Sequence, residues 1–449
     1  MRISGADRPL KARSSSDRWH LDVEQPVPQN ARHKKALFCK LFTLMTSPFL
    51  PLMQFLLLVL SFLIVWLFAG YPLLMTVISL RLKPQTKDYN YQPFVSIFVP
   101  THNEEISIER RIDNLYRLDY PKQNYEIIVI DSGSTDKTRQ IVQRLIEHNG
   151  KTDLPSLNLV KEAQRNGKGA AINAGMSHAQ GEIILVTDAN CLFSINALKE
   201  LAPHFKNPKV GAVGGRYVVL NPDNALTLAT KFYRDLEHVL RTGESALCSA
   251  CLFDGEINAW RKNLADIDKL MIAEDLDMCI KIRKKGYKID YEPEAVVYEA
   301  VPTTLQEQVK QRKRTSIGTI TSMLNNLKYI LVPSDLYRLL ILPSHKGLAM
   351  LSPYLLLAVP VLYFAMQDWA WVLLHGAGSI IAFGMIFALL TLGRKQLGER
   401  YRTERATVTT VARMVWYTLL NACIVLAAWK DVVTRNYTVQ WEMVRTTRR

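Results

Sequence analysis

The stretch that decides the fold is "FVSIFVPTHNEE", residues 94–105, in which an apolar run of strand length ends in a polar turn. "YEIIVIDSGSTD" (125–136) and "EIILVTDAN" (182–190) repeat this pattern, and helical stretches such as "STDKTRQIVQRLIEH" (134–148) separate the runs. Strands that alternate with helices predict an α/β domain with a mostly parallel sheet and helices on both faces. Ligands of such sheets bind beyond the carboxyl ends of the strands, so we expect the functional residues there.

The strand ends carry "PTHNEE" (100–105), "DSGSTD" (131–136) and "TDAN" (187–190). Small residues and backbone NH groups suit phosphates, while carboxylates suit a ribose or a divalent cation. This edge of the sheet therefore predicts a site for a nucleoside diphosphate. A dinucleotide-binding dehydrogenase would carry G-x-G-x-x-G after the first strand, where this chain has "THNEE", so that class is excluded.

The composition combines very apolar segments with a basic, polar domain. The 449 residues carry a net charge of +15, and the mean hydropathy is +0.00 although 22% of the residues are charged. No basic-aromatic nucleic-acid module occurs, so the charge predicts an anionic membrane surface or a phosphate-bearing substrate, and no nucleic-acid partner. The six cysteines are scattered, which is typical of a reducing compartment.

Four apolar segments predict an integral membrane protein. Residues 47–80 contain no charged side chain and are long enough to span a membrane. The segment forms either one long helix or a hairpin of two helices that is broken near Gly70 and Pro72. Three further segments of about spanning length follow, at 347–366, 370–392 and 411–428. The basic loop 393–406 is expected in the cytoplasm by the positive-inside rule, and counting back one span puts the central domain there too. We expect the lipid bilayer to be the plasma membrane.

The sheet domain is thus inserted between transmembrane helices. A basic, aliphatic stretch at 324–342 predicts a segment that lies at the membrane surface. The predicted parts are a basic polar leader (1–46), a first membrane segment (47–80), the α/β domain (93–318), an interfacial amphipathic segment (319–346), three membrane helices (347–428) and a basic tail (429–449).

"IAEDLDMCIKIRKKGYKI" (272–289) places Glu274, Asp275 and Asp277 ahead of a basic run. Taken alone, this stretch favours a solvated helix, with acids at the positive end of the helix macrodipole and bases at the other end. The alternative is that the carboxylates belong to an active site and only the basic run is a solvated face.

Six motifs in order resemble the membrane-embedded family 2 glycosyltransferases, which include the synthases of hyaluronan, cellulose, poly-N-acetylglucosamine and chitin oligosaccharide. They are "VSIFVPTHNEE", "IIVIDSGSTDKT", "RNGKGAAINAG", "EIILVTDAN", "AEDLDMCIKIRKKGY" and "QRKRT", all within residues 93–318. The resemblance implies a GT-A type, Rossmann-like fold and an inverting hexosyltransferase activity.

The resemblance also implies how a UDP-sugar donor is held. Asp188 matches the first acid of a D-x-D motif for Mg²⁺ or Mn²⁺, and Asn190 stands where the second acid usually is. The amide offers an oxygen but one charge fewer, so Asn190→Asp is expected to tighten cation binding. The donor pocket is expected to be lined by Thr101, Glu104, Asp131, Asp136, Lys168 and Asp188.

On the acceptor side, Asp275 matches the general base that takes a proton from the acceptor hydroxyl, and the neighbouring Glu274 is expected to raise its pKa. Gln311 and Arg314 match the Q-x-x-R-W motif, and Arg314 is expected to stabilise the departing diphosphate. Thr315 replaces the tryptophan of that motif, which weakens the case for a processive synthase.

Three functions stay open. The first is transfer of a hexose or N-acetylhexosamine from a UDP-sugar to a growing β-linked polysaccharide, and the second is non-processive transfer to a lipid. The third is an inactive, nucleotide-binding membrane partner. If the protein polymerises, Trp260 is the candidate for the aromatic surface that supports the acceptor, with a core residue as the equal alternative.

Overall fold

The computed structural model describes residues 49–81, 86–149, 153–162, 164–264, 267–268, 272, 274–332, 334–366, 373, 408–438 and 445–447. The chain divides into two compact units, Met1–Leu56 and Leu57–Arg449. The first unit is described only at residues 49–56. The sheet and the candidate site belong to the second unit.

The described part of the chain forms one eight-stranded sheet. Its strands are β1 Val95–Thr101, β2 Tyr125–Ser132, β3 Ser156–Glu162, β4 Ile183–Val186, β5 Leu192–Phe193, β6 Val210–Val219, β7 Asn258–Arg261 and β8 Lys288–Glu299. The strand order is β3-β2-β1-β4-β7-β6-β8-β5. Strands β3, β2, β1 and β4 are parallel, as is the β6–β8 pair, whereas β7 is antiparallel to both neighbours and β5 is antiparallel to β8. The α/β prediction is confirmed, and the sheet is mixed because of β7 and β5.

Helices cover both faces of the sheet. The helices are α1 Leu50–Arg81, α2 Ile108–Tyr116, α3 Thr138–Asn149, α4 Lys168–Met176, α5 Ala197–Leu201, α6 Ala225–Leu247, α7 Glu274–Lys284, α8 Leu305–Asn325, α9 Leu327–Ile330, α10 Tyr337–Met366 and α11 Val408–Thr434. Successive side chains of a strand point to opposite faces, so Ile97 packs into the core on one side of β1 and Phe98 into the core on the other. This explains why the strands appear in the sequence as continuous apolar runs.

Three described helices are long and apolar enough to cross a membrane: Leu50–Arg81, Tyr337–Met366 and Val415–Thr434. The first is one helix of 32 residues, so the broken-hairpin alternative is wrong. The predicted segment 370–392 lies outside the described residues apart from residue 373.

The second of these helices begins earlier than predicted. Residues 337–346 were expected to belong to an interfacial segment, but they form the start of α10. Tyr337, Ile341 and Leu342 are fully buried in the core of the sheet domain, and the Tyr337 hydroxyl donates to the backbone oxygen of Cys251 at 2.8 Å. This end of α10 therefore packs on the sheet domain, and its place at a membrane surface stays a prediction.

Helix α6 makes close contacts with α1. A Cβ on Gly243 would overlap the backbone carbonyl of Met75, so only glycine permits this approach of the two helices. Beside it, the Tyr71 hydroxyl donates to Glu244 at 2.5 Å. The two contacts fix α1 against the helix that precedes β7.

Charged side chains connect α6 with α10 and with the loop before β7. We call Glu237, Arg241, Glu244, Asp254, His345 and Lys346 the buried ion network. Glu237 lies 2.8 Å from Arg241, 3.1 Å from His345 and 3.0 Å from Lys346, while Glu244 lies 2.6 Å from His345. Arg241 also pairs with Asp254. Burial alone raises the pKa of Glu237, but these cations outweigh it and hold the pKa well below its usual value.

Candidate active site

A cleft of about 250 Å³ opens at the carboxyl end of β4, beside the loop before β7 and the first turn of α7. Its polar lining comes from Lys168 of α4, Asn258 of β7 and Asp275 of α7. Apolar side chains, among them Ile172, Phe253 and Met278, line the remainder. The cleft lies where ligands of open α/β sheets bind.

Lys168 connects two edges of this cleft. Its ammonium lies 2.8 Å from the Asp188 carboxylate and donates to the backbone oxygen of Gly255 at 3.0 Å. Lys168 is the first residue of α4, and the preceding Gly167 has a φ of 90°, a conformation that favours glycine. The structure thus brings together Lys168 and Asp188, two of the residues predicted to hold the donor.

Asp275 lies in the first turn of α7 and is partly exposed. One of its carboxylate oxygens accepts the backbone NH of Leu276 at 2.9 Å, which fixes the side chain at the edge of the cleft. Asp275 and Lys168 line the same cleft. The side chain of Glu274 lies outside the described residues, so its effect on the pKa of Asp275 stays a prediction.

The ends of β1 and β2 bring Thr101 beside Asp131. Asp131 is fully buried, and its Oδ2 accepts from Arg139 at 2.5 Å and from the backbone of Ser134 at 3.3 Å. Its Oδ1 is buried and has no hydrogen-bond partner among the described residues. A buried acceptor without a donor costs about 1–3 kcal/mol, so this atom is suited to a donor group on a ligand.

Two other predicted donor residues have structural roles. Both carboxylate oxygens of Asp136 accept backbone NH groups, from Thr138 at 2.9 Å and from Glu105 at 3.0 Å. Glu104 is buried and accepts from the Ser107 hydroxyl at 2.6 Å. These contacts hold the loops after β1 and β2 together, and the contact of Asp136 with the donor stays a prediction.

The predicted metal pair lies in the turn after β4. Asp188 has a side-chain exposure of 29%, whereas Asn190 is buried and donates from Nδ2 to Glu299 at 2.7 Å. The described residues contain no group of three or more His, Cys, Asp or Glu side chains placed to hold a metal ion. Mg²⁺ is commonly held by one or two protein oxygens together with substrate phosphates and water. The carboxylate of Asp188 and the amide oxygen of Asn190 fit such a site.

An acidic cluster that the sequence did not reveal lies behind this pair. Burial, followed by the nearby Glu299, raises the pKa of Glu256 to about 8, and burial and Asp188 raise the pKa of Glu299. The positive charge of Arg234 partly offsets the negative charge of the cluster. Its guanidinium lies 2.8 Å from the Asp254 carboxylate and 3.9 Å from the carboxyl group of Glu256. The carboxyl groups of Glu256 and Glu299 therefore hold protons more readily than usual. The available signal was the short apolar run "AVVY" (295–298) that precedes Glu299 at the end of β8.

Gln311, Arg314 and Thr315 lie on α8, and none of them lines the cleft. Gln311 and Thr315 are exposed and Arg314 is partly buried. The neighbouring Lys313 forms an ion pair with Asp431 of α11 at 2.6 Å, so this part of α8 lies against a membrane helix.

Trp260 is a core residue. It lies on β7 between β4 and β6, its exposed fraction is 1%, and its indole NH donates to Asn258 at 3.1 Å. Trp260 also belongs to the lining of the cleft that contains Asp275 and Lys168. Its burial favours the core alternative, and its role in supporting the acceptor stays a prediction.

A mixed sheet of this order, with a cleft at its carboxyl edge, is that of a GT-A glycosyltransferase fold. Residues 96–254 match the family described as glycosyl transferase family 2, and residues 183–392 match glycosyl transferase family group 2. Residues 96–392 thus carry matches to family 2 glycosyltransferase domains, as the motifs predicted.

Similar proteins are glycosyltransferases. The chain is 30% identical over 241 residues to the probable glycosyltransferase YdaM of Bacillus subtilis, covering 50% of this chain and 55% of that protein. It is 29% identical over 230 residues to the poly-β-1,6-N-acetyl-D-glucosamine synthase of Staphylococcus aureus, covering 50% and 54%. The chain therefore spans about half the length of the curated relatives it matches.

A solved structure matches more of the chain. It is a mannosyltransferase from Pyrobaculum calidifontis in complex with GDP-Man and Mn²⁺, with a TM-score of 0.61 and 28% sequence identity. The match covers 86% of this chain and 100% of that chain, and it confirms the predicted GT-A type fold.

Proposed function

We propose that this protein is an inverting membrane glycosyltransferase that moves a hexose or N-acetylhexosamine from a UDP-sugar to a growing β-linked polysaccharide. The observation that carries the proposal is one cleft lined by both Asp275 and Lys168, with Lys168 paired to Asp188. The cleft combines a carboxylate that can accept a proton with a cation that can neutralise a phosphate. The catalytic domain would act on the cytoplasmic face of the plasma membrane, next to the three helices able to span it.

Transfer with inversion needs a base at the acceptor hydroxyl and stabilisation of the departing nucleoside diphosphate. Asp275 would take the hydroxyl proton at its carboxylate, and the Lys168 ammonium would neutralise charge on the diphosphate. Asp188 and Asn190 would hold Mg²⁺ or Mn²⁺, which supplies further positive charge to the phosphates when bound. Arg314 does not line the cleft, so its contact with the diphosphate rests on the motif alone.

The nucleotide base is the open part of the donor assignment. The unpartnered Oδ1 of Asp131 suits an NH or OH donor on a base or ribose, which uridine and guanosine both offer. The structure of the Pyrobaculum calidifontis enzyme contains GDP-Man, whereas we favour UDP-sugars from the resemblance to polysaccharide synthases. Both nucleotides therefore belong in the test.

A second candidate is transfer of a single sugar to a lipid. It is favoured by Thr315, which is exposed on α8 where the processive synthases carry a tryptophan. Thr315 donates to the backbone oxygen of Gln311 at 3.1 Å and offers no aromatic face. A lipid acceptor could approach along α11, which packs beside this part of α8.

In the experiment, the purified full chain is reconstituted in lipid nanodiscs with Mn²⁺. It is then incubated with radiolabelled UDP-glucose, UDP-N-acetylglucosamine or GDP-mannose. Chromatography by size and extraction into organic solvent then separate polymer, glycolipid and free sugar. A polymer from a UDP-sugar supports the proposal, and a single-sugar lipid supports the second candidate. If the wild type makes no product and binds the donor only as well as an Asp188→Ala control does, the protein is an inactive partner. That result would contradict both candidate functions.

A further inference from the structure

The amide of Asn190 has a fixed orientation. Its Nδ2 donates to Oε1 of Glu299 at 2.7 Å, and its Oδ1 receives no hydrogen bond from the residues that the structure describes. Asn190 lies two residues after Asp188, in the turn that follows β4. The amide nitrogen is thus occupied within the fold, while the amide oxygen is free for a ligand.

Glu299 is itself held in place. It is the last residue of β8, it is buried, and its backbone oxygen accepts the NH of Leu220 at 2.9 Å. The Tyr217 hydroxyl hydrogen-bonds to its carboxyl group, and the Arg234 guanidinium lies 4.0 Å from the centre of the Tyr217 ring. The remaining charged groups around Glu299 are Asp188 and Glu256.

We propose that Glu299 is a positioning residue that directs the Asn190 carbonyl oxygen toward the divalent cation. The inference rests on the proposed function, in which Asp188 and Asn190 hold that cation. An amide has one donor end and one acceptor end, so a carboxyl acceptor on the nitrogen determines where the oxygen points. Partners of this kind, behind the direct ligands, commonly orient them and tune metal affinity.

This arrangement reverses an expectation from the sequence alone, that Asn190→Asp tightens cation binding. An aspartate at position 190 would place a second carboxyl group within hydrogen-bond distance of Glu299. The aspartate has no NH₂ group to donate to Glu299, so the contact that positions the side chain is lost. The double variant Asn190→Asp/Glu299→Gln restores the contact with its polarity exchanged, because the glutamine NH₂ donates to the new carboxylate. Only this double variant combines the added carboxylate with a positioned side chain.

The test measures retention of radiolabelled UDP, and separately GDP, by the full chain in nanodiscs during equilibrium dialysis against increasing MnCl₂. The quantity compared is the Mn²⁺ concentration at half-maximal retention. Glu299→Leu should raise it by about tenfold or more, whereas Glu299→Gln, whose carbonyl still accepts from Asn190, should stay near wild type. Asn190→Asp should not lower it, and the double variant should lower it by about tenfold relative to Asn190→Asp.

Two results would overturn the inference while leaving the proposed function intact. One is Mn²⁺-dependent retention that is equal in wild type and Glu299→Leu. The other is that Asn190→Asp alone lowers the Mn²⁺ concentration at half-maximal retention as far as the double variant does. This second comparison does not depend on whether Glu299→Leu folds. Retention by wild type that does not depend on Mn²⁺ would remove the cation role itself and overturn both.

Discussion

The substitution Asp275→Asn isolates one charge in the cleft. In the wild type, the backbone NH of Leu276 donates to the Asp275 carboxylate at 2.9 Å. The amide oxygen of an asparagine can accept the same hydrogen bond, so the start of α7 should remain intact. What the variant loses is the ability to take a proton from the acceptor. A positioned general base contributes about 10²–10⁴-fold, which corresponds to roughly 3–5 kcal/mol of barrier, so transfer should fall by that factor.

Asp277 provides a matched control on the same helix. Its carboxylate pairs with Lys281 at 2.9 Å and accepts from Asn326 at 3.2 Å, and it does not line the cleft. Asp277→Asn therefore removes the same charge two residues away, with an effect on stability and not on the chemical step. Transfer rates at saturating donor, nucleotide retention and thermal unfolding should be measured for both variants. Transfer by Asp275→Asn above about a tenth of the wild-type rate would refute the role of Asp275 as base.

Three further predictions concern the framework. Burial opposes the charge on His204, but the hydrogen bonds that its ring NH groups donate to Asp290 and Glu292 outweigh burial and raise its pKa to about 9, while both carboxyl pKa values are lowered. The stabilisation by His204 is complete below its ordinary pKa of about 6.5 and disappears as the pH rises through about 9. The unfolding temperature of wild type should accordingly fall between pH 7 and pH 9.5, and an equal fall in His204→Asn would contradict this. Gly243→Val should separate α6 from the first membrane helix and lower the unfolding temperature, whereas wild-type stability would show that the helices are not in close contact. Trp260→Ala should cost about 3–5 kcal/mol and reduce transfer and donor hydrolysis together; loss of transfer alone would support an acceptor role.

The sequence predicted those parts of the fold that depend on local pattern. The runs that became β1, β2 and β4 are apolar on both faces because helices cover both sides of the sheet, and their polar ends identified the edge that carries Lys168 and Asp188. Strand β7 was missed because Asn258–Arg261 is short and half polar, so its place in the sheet depends on pairing with β4 and β6.

Side-chain partners between distant segments were beyond the sequence. Asp131 and Asp136 begin and end the same motif, "DSGSTD", yet backbone NH groups donate to both carboxylate oxygens of Asp136, whereas one carboxylate oxygen of Asp131 is buried without a partner among the described residues. The contact between Asn190 and Glu299 joins residues 109 positions apart, and no local pattern reports it. Trp260 was ambiguous for a similar reason, because an aromatic side chain suits both a core and a sugar surface.

The buried ion network also imposes an order on the biogenesis of the protein. His345 and Lys346 lie in the first half of the 30-residue helix α10, and their partners Glu237 and Glu244 belong to a helix of the sheet domain. A lysine without its partner is costly inside a membrane, which discourages early insertion of this end of α10. Because α6 precedes α10 along the chain, the ribosome delivers the carboxylates about a hundred residues before the cations that need them. The folded sheet domain would thus be the surface on which this end of α10 docks.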